Sequence, residues 1–177
     1  MHTPARRLHL LTLQEIAAES SQTIDDVTLA WVGDGNNVAR SLVVGCALAG
    51  VNLRVATPDG YGIDDDAIAA ASAAGGEPRM FDSPEAAVVG ADAVYTDVWV
   101  SMGESERREA KLPAFEGFQV DEALLAHADA TLMHCLPANR GEEVTDSALE
   151  SDRSVVWQQA GNRMPTQQAL LLELLSE

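Results

Sequence analysis

Four short polar clusters interrupt an otherwise apolar pattern, and their residue types limit the chemistry available. His134-Cys135-Leu136-Pro137 sets an imidazole beside a thiol directly after the apolar run Thr131-Leu132-Met133. A single pair of this kind is more often packing than catalysis, because a free cysteine behaves as a small hydrophobe. Asp97 ends a second apolar run, Ala93-Val94-Tyr95-Thr96. A carboxylate at that depth requires a partner, either an internal arginine or the ammonium group of a ligand. Arg163 follows Gln158-Gln159-Ala160-Gly161-Asn162 at a helix start. Its planar fork suits bidentate recognition of phosphate or carboxylate, or, in so acidic a chain, a surface salt bridge. Gly33-Asp34-Gly35-Asn36-Asn37 forms a tight turn before another helix. Its asparagines either cap that helix or offer amide groups to a zwitterion whose carboxylate suits the positive helix end.

These clusters need elements to carry them. Val27–Val32, Asn52–Ala56, Pro78–Phe81, Ala93–Val98 and Thr131–His134 are short, apolar and bounded by turn residues, as strands are. Ser154–Trp157 is expected as a sixth extended run. Helical spacing occupies Leu10–Ser20, Val38–Leu48, Asp64–Ala74, Ser83–Val89 and Asp121–Ala126, and Gln158–Leu175 is expected to close the domain as one helix. Strict alternation of the two predicts an α/β fold: a doubly wound, Rossmann-like parallel sheet of about five strands flanked by helices. Residues 1–9 are expected to be irregular and 10–177 to form a single domain. In such a sheet ligands bind at the carboxyl ends of the strands, where all four clusters fall.

Composition excludes several classes. There are 28 acidic residues against 11 basic ones, for a net charge of −17. Nucleic-acid binding is disfavoured, since phosphate neutralisation needs a basic face. No apolar run reaches membrane-spanning length and no signal-peptide core opens the chain, so a soluble, cytoplasmic protein is expected. The two cysteines suggest neither a disulfide framework nor metal spacing, and Cys46, inside an apolar helix, is read as packing. The glycine turn matches only the opening of the dinucleotide fingerprint G-x-G-x-x-G, because Val38 stands at the third glycine position.

In order and spacing, Val32-Gly33-Asp34-Gly35-Asn36-Asn37-Val38, Tyr95-Thr96-Asp97-Val98-Trp99 with Ser101-Met102-Gly103, His134-Cys135-Leu136-Pro137 and Asn162-Arg163 resemble the ornithine carbamoyltransferase family. The resemblance covers nearly the whole chain from about Leu10, but only the family's second, ornithine-binding domain. It implies transfer of a carbamoyl group from carbamoyl phosphate to L-ornithine, giving citrulline and phosphate, in arginine biosynthesis or degradation. It implies that Asn36, Asn37, Asp97, Ser101 and Met102 hold ornithine. Cys135 and Leu136 would sit against the reacting amine and carbamoyl group, with His134 beside them, and Arg163 would hold carbamoyl phosphate. Cys135, Asp97 and Arg163 are the implied catalytic residues. No metal or organic cofactor is implied, and the full-length family is expected to be a homotrimer or a multiple of one.

The family's Ser-Thr-Arg-Thr-Arg phosphate loop has no counterpart in this sequence, and the chain is expected to be a truncated product or an excised domain with little activity alone. Gly161 stands where the family usually has Glu, and Met164-Pro165 where it has Leu-His. Two other readings compete: a free-standing amino-acid-binding or regulatory module, and a nicotinamide-dependent oxidoreductase. The acidic surface leads to a separate expectation, a salt-requiring protein of the kind halophiles make. Dense carboxylates repel in dilute buffer and are screened in concentrated salt. The melting temperature is therefore expected to rise across a sodium chloride series, and a flat profile would overturn this reading.

Overall fold

The computed structural model describes residues 3–100 and 108–176, with side chains from His9 onward. Five strands form one parallel sheet: β1 (Thr28–Val32), β2 (Asn52–Ala56), β3 (Arg79–Phe81), β4 (Ala93–Thr96) and β5 (Thr131–His134). Their order is β3-β2-β1-β4-β5, and every pair is parallel. Strand order therefore reverses between β1 and β4, the position at which a doubly wound sheet opens a crevice.

Side-chain alternation assigns the two faces. Leu29 and Trp31 of β1, Leu53 and Val55 of β2, Tyr95 of β4 and Met133 of β5 join one core. That core is closed by α1 (Thr3–Glu19), α2 (Asn37–Ala49) and α3 (Asp65–Ala73). Ala30, Val32, Val94 and Leu132 join a second core with α4 (Pro84–Val88), α6 (Glu122–Ala128) and α7 (Asp146–Leu149). The short α5 (Arg108–Lys111) lies between β4 and α6. Five helix starts carry a side-chain cap: Asn36, Asp64, Ser83, Asp121 and Thr145 accept hydrogen bonds from the first turns of α2, α3, α4, α6 and α7.

Three expectations are corrected. Residues before Leu10 are not irregular, because α1 begins at Thr3. The extended run at 154–157 contributes a single bridge, Ser154 beside Leu132, and the chain turns helical at Val156. The C-terminal helix is divided at Asn162 into α8 (Val156–Gly161) and α9 (Arg163–Leu175). Pro165 has no N–H to donate to Gly161 O, so the helical ladder is interrupted there, and tertiary bonds hold the joint. Asn162 Nδ2 donates to Glu15 Oε2 at 2.6 Å and to Thr12 Oγ1 at 3.1 Å, and Gln158 Nε2 donates to the same Glu15 oxygen at 2.8 Å. α1 thus anchors the joint from which Arg163 projects. The outer side of α9 leaves Leu171, Leu172, Leu174 and Leu175 exposed.

α1 also delivers His9 into the first core, where it is 2% exposed and stands edge-on to Tyr95. Burial, and secondarily the positive charge of Arg163, lower its pKa to about 4 from an ordinary 6.5. The fold therefore excludes the imidazolium form. Above pH 6.5 the ring is neutral in both states and the fold keeps its full stability. Between there and pH 4 the unfolded chain takes up a proton that the folded chain refuses, and about 3 kcal/mol is lost. Urea unfolding across this interval is expected to show the loss in the natural chain, and His9→Asn is expected to remove most of it. Equal pH slopes for the two proteins would refute the assignment.

Candidate active site

The pairing of β4 with β5 sets Tyr95 beside Met133 and Thr96 beside His134. One residue further, the same register brings Asp97 opposite Cys135. The Cys135 thiol donates to Asp97 Oδ1 at 2.9 Å. The other carboxylate oxygen accepts from Asn36 Nδ2, also at 2.9 Å. Asn36 is committed in both directions. Its Oδ1 accepts from Val38 N and Ala39 N, capping α2, so its amide nitrogen is the end that faces Asp97. Capping and site-building, which the sequence offers as alternatives, are performed by one side chain.

Asp97 is 5% exposed. Among the described residues its partners are these two neutral donors, and none is a cation. A carboxylate held this way keeps an uncompensated charge. The charge acts on its neighbour: burial first, then Asp97, hold the Cys135 thiol far above the usual thiol range. Cys135 is therefore a neutral hydrogen-bond donor rather than a thiolate nucleophile.

His134 lies on the opposite side of β5, wholly buried. Leu136 N donates to its Nδ1 at 2.9 Å, which leaves the ring proton on Nε2, facing Glu143 Oε1 3.3 Å away. That separation is close enough for attraction but is not aligned as a hydrogen bond. Glu143 also accepts from Asn139 N at 2.5 Å, and Gln159 Oε1 accepts from His134 N at 3.0 Å. These bonds fix a turn in which Leu136 takes a left-handed conformation, φ 54°, and the Leu136-Pro137 bond is cis. The polar atoms of Asp97, His134 and Cys135 still converge within 4.8 Å. Arg163, exposed at the start of α9, returns over the turn and donates from Nη2 to Cys135 O at 3.1 Å.

The structure thus brings together Asn36, Asp97, Cys135, Leu136 and Arg163 around the crevice. It sets two expected residues apart. Asn37 is exposed and lines the groove between α2 and α3 with Arg40 and Asp66. His134 holds the turn from beneath, and the Leu136 amide is spent on its ring. Ser101 and Met102 lie outside the described residues. At Gly35 the glycine turn is closely approached by the chain itself. A Cβ there would lie 2.3 Å from Gly62 O, and Gly35 N donates to Tyr61 O at 2.8 Å. Lys111, the only lysine, closes this corner: its Nζ donates to Asp34 Oδ2 at 2.7 Å and lies over the rings of Tyr61 and Phe115.

Sequence reasoning passed over Tyr95, His9, Gln159 and Glu143. Tyr95 Oη lies 3.0 Å from His9 Nδ1 and accepts from Gln159 Nε2 at 2.9 Å. The one available signal was a tyrosine hydroxyl on a strand otherwise wholly apolar to that point, which must find a partner when buried.

The model of the aspartate/ornithine carbamoyltransferase Asp/Orn binding domain matches residues 25–174. An ornithine carbamoyltransferase of Haloquadratum walsbyi is 56% identical over 153 residues, covering 86% of this chain and 51% of that protein. One from Trichormus variabilis is 48% identical over 164 residues, covering 90% of this chain and 54% of its own. Among solved structures, ornithine carbamoyltransferase from Thermus thermophilus superposes with a TM-score of 0.82 at 40% identity, covering 97% of this chain and 55% of that one. The Giardia lamblia enzyme superposes with a TM-score of 0.87 at 31% identity, covering 96% and 58%. The chain spans about half the length of the curated relatives it matches. The convergence of Asn36, Asp97, Cys135 and Arg163 is therefore carried on a shared sheet, and the chain belongs to the aspartate/ornithine carbamoyltransferase family, of which it comprises the Asp/Orn binding domain.

Proposed function

We propose that this chain is the ornithine-binding half of an ornithine carbamoyltransferase, which forms L-citrulline and phosphate from L-ornithine and carbamoyl phosphate. The observation that carries this reading is Asp97: a buried carboxylate at the carboxyl end of a central strand, held, among the described residues, by neutral donors only. A ligand ammonium group supplies the missing positive charge. The relatives named ornithine carbamoyltransferase support the choice of amine.

The chemistry follows from the same groups. The free side-chain amine of ornithine resembles that of lysine, with a pKa of about 10.4, and attack requires its neutral form. A closed, partly dry pocket lowers that pKa, and Asp97 orients the nitrogen or takes up its proton. Cys135, kept protonated beside that charge, contacts the amine without forming a covalent bond. Leu136 shapes the wall next to the carbamoyl group. Arg163 offers its remaining donors to the phosphate. Ser101 and Met102 complete the ornithine site, with Asn37 at its margin. No metal or organic cofactor enters. Work in the cytoplasm, in arginine synthesis or breakdown, within a trimeric full-length enzyme and at high salt, belongs to the same reading.

A nicotinamide-dependent oxidoreductase is disfavoured, because the glycine turn is filled by the backbone of Tyr61 and Gly62. Calorimetric titration of the chain with L-ornithine tests the proposal. Asp97→Asn removes the charge and keeps the shape. It is expected to weaken binding by at least about 30-fold, the equivalent of about 2 kcal/mol, with little change in melting temperature. Equal affinities in the two proteins would sink the role given to Asp97.

A further inference from the structure

We infer that Lys111 is a positioning residue for the amine site: its ammonium group holds Asp34, and through Asp34 the turn that presents Asn36 to Asp97. The tether is read from buried contacts, and only its consequence for ornithine rests on the carbamoyltransferase reading.

The sheet stops short of the site. β1 and β4 pair as far as Trp31 with Tyr95, and the ladder between them ends at that level. Beyond it the chain leaving β1 turns into α2, while the chain leaving β4 carries Asp97 and, further on, α5. The crevice of a doubly wound sheet opens between two such chain ends. Two side-chain hydrogen bonds cross from one to the other. Asn36 Nδ2 donates to Asp97 Oδ2 at 2.9 Å, and Lys111 Nζ donates to Asp34 Oδ2 at 2.7 Å. The first belongs to the site, because it orients the carboxylate that receives the amine. The second stands apart from the carboxylate, with both of its side chains only 10% exposed. It is therefore the bond that keeps the span fixed while Asp97 changes partners.

Asp34 is built to transmit that constraint. Its carbonyl accepts from Trp31 Nε1 at 3.1 Å, which ties its main chain to the first core. Gly33 N donates to Ala56 O and Gly35 N to Tyr61 O, so the turn is also tied to the end of β2 and the loop after it. These bonds set the turn against β1 and β2. The Asp34 carboxylate adds the link to the side of β4. Asn36 follows two residues later and moves with the turn, because its Oδ1 is committed to the first turn of α2. Lys111 is itself held in place. Its ammonium nitrogen lies 5.2 Å from the centre of the Tyr61 ring and 5.7 Å from that of Phe115, and Phe115 stacks on Trp99, two residues beyond Asp97. The cation thus grips the turn from the same stretch of chain that carries Asp97. Burial also spares this pair most of the screening that salt imposes on surface charges.

The test uses the full chain and separates position from stability. Lys111→Met keeps the length of the side chain and removes its charge, which leaves the Asp34 carboxylate buried without this partner and lowers the melting temperature. Adding Asp34→Asn replaces the whole pair by neutral groups of similar size, and the melting temperature is expected to return most of the way. The tether is still missing in that double variant. Calorimetric titration is therefore expected to show L-ornithine bound about fivefold more weakly than by the natural chain, as the loss of one well-placed hydrogen bond would give. A role in stability alone predicts the reverse, with binding restored as the melt is restored. A second readout needs no ligand. Nuclear magnetic resonance follows hydrogen exchange of the Asn36 side-chain amide, which the bond to a buried carboxylate protects in the natural chain. Exchange is expected to be about tenfold faster in the double variant, because freeing the turn opens that bond more often. Natural affinity in the double variant, or unchanged exchange of the Asn36 amide, overturns the inference. Should Lys111→Met lack a cooperative melt, the double variant decides on its own. A natural chain that binds no ornithine defeats the carbamoyltransferase reading, and the exchange of the Asn36 amide then decides the tether without it.

Discussion

The charge on Asp97 is the constraint around which this domain is arranged. A carboxylate removed from water loses hydration that two neutral hydrogen bonds do not fully replace. Each donor that reaches it can do so only because something else holds it. Asn36 presents its amide nitrogen because its oxygen is fixed by the first turn of α2. Cys135 presents a proton because burial and the carboxylate together keep the thiol neutral. The β4–β5 register brings Cys135 to the level of Asp97. Helix start, strand pairing and thiol state are thus three conditions on one oxygen pair, and a failure of any of them leaves the charge worse off.

The turn after β5 carries a second cost. Leu136 sits in left-handed backbone, which disfavours a residue with a Cβ by roughly 1–2 kcal/mol. The surroundings over-determine it: the Leu136 amide is bound to the His134 ring, that ring faces Glu143, and the His134 amide is bound to Gln159. Strain held in this way faces Arg163 and the open crevice, while the side chains of His134, Glu143 and Gln159 that hold it are buried. The division of labour is spatial. Residues on one side of β5 line the crevice, and His134, on the other side, keeps them there.

Much of this was legible in the chain. Alternating apolar runs and capped helices define the sheet and its helices, because burial on both faces leaves short, continuous hydrophobic strands. The polar clusters pointed to Asp97, Cys135 and Arg163, which the structure brings together, although the strand expected before Arg163 is the helix α8. What escaped has a common cause. Asn36 and Asn37 are chemically identical neighbours, and only the rotation of α2 decides that the first turns inward. His134 and Cys135 are likewise adjacent, and the pleat of β5 sends them to opposite faces. His9 meets Tyr95 across 86 positions of sequence, and Glu15 meets Asn162 across 147. Helical spacing marks α1 as amphipathic but says nothing of which polar residue will be carried into a core. Its start at Thr3 was missed for the related reason that the polar segment before Leu10 bears no apolar period of its own.

The leucines on the outer side of α9 have a consequence for how the molecule behaves in bulk. Across most of the surface, carboxylates keep neighbouring molecules apart by charge alone. Leu171, Leu172, Leu174 and Leu175 lie exposed on one terminal helix that contributes a single acidic side chain, Glu173, to that stretch. Added electrolyte shortens the reach of the repulsion to a few ångströms, and salting-out ions at the same time strengthen the attraction between apolar surfaces. Screening of the anionic shell and attraction between the exposed leucines both lower colloidal stability in electrolyte, and they act through different parts of the chain: the diffuse anionic shell sets the one, and a stripe little more than one helical turn long sets the other.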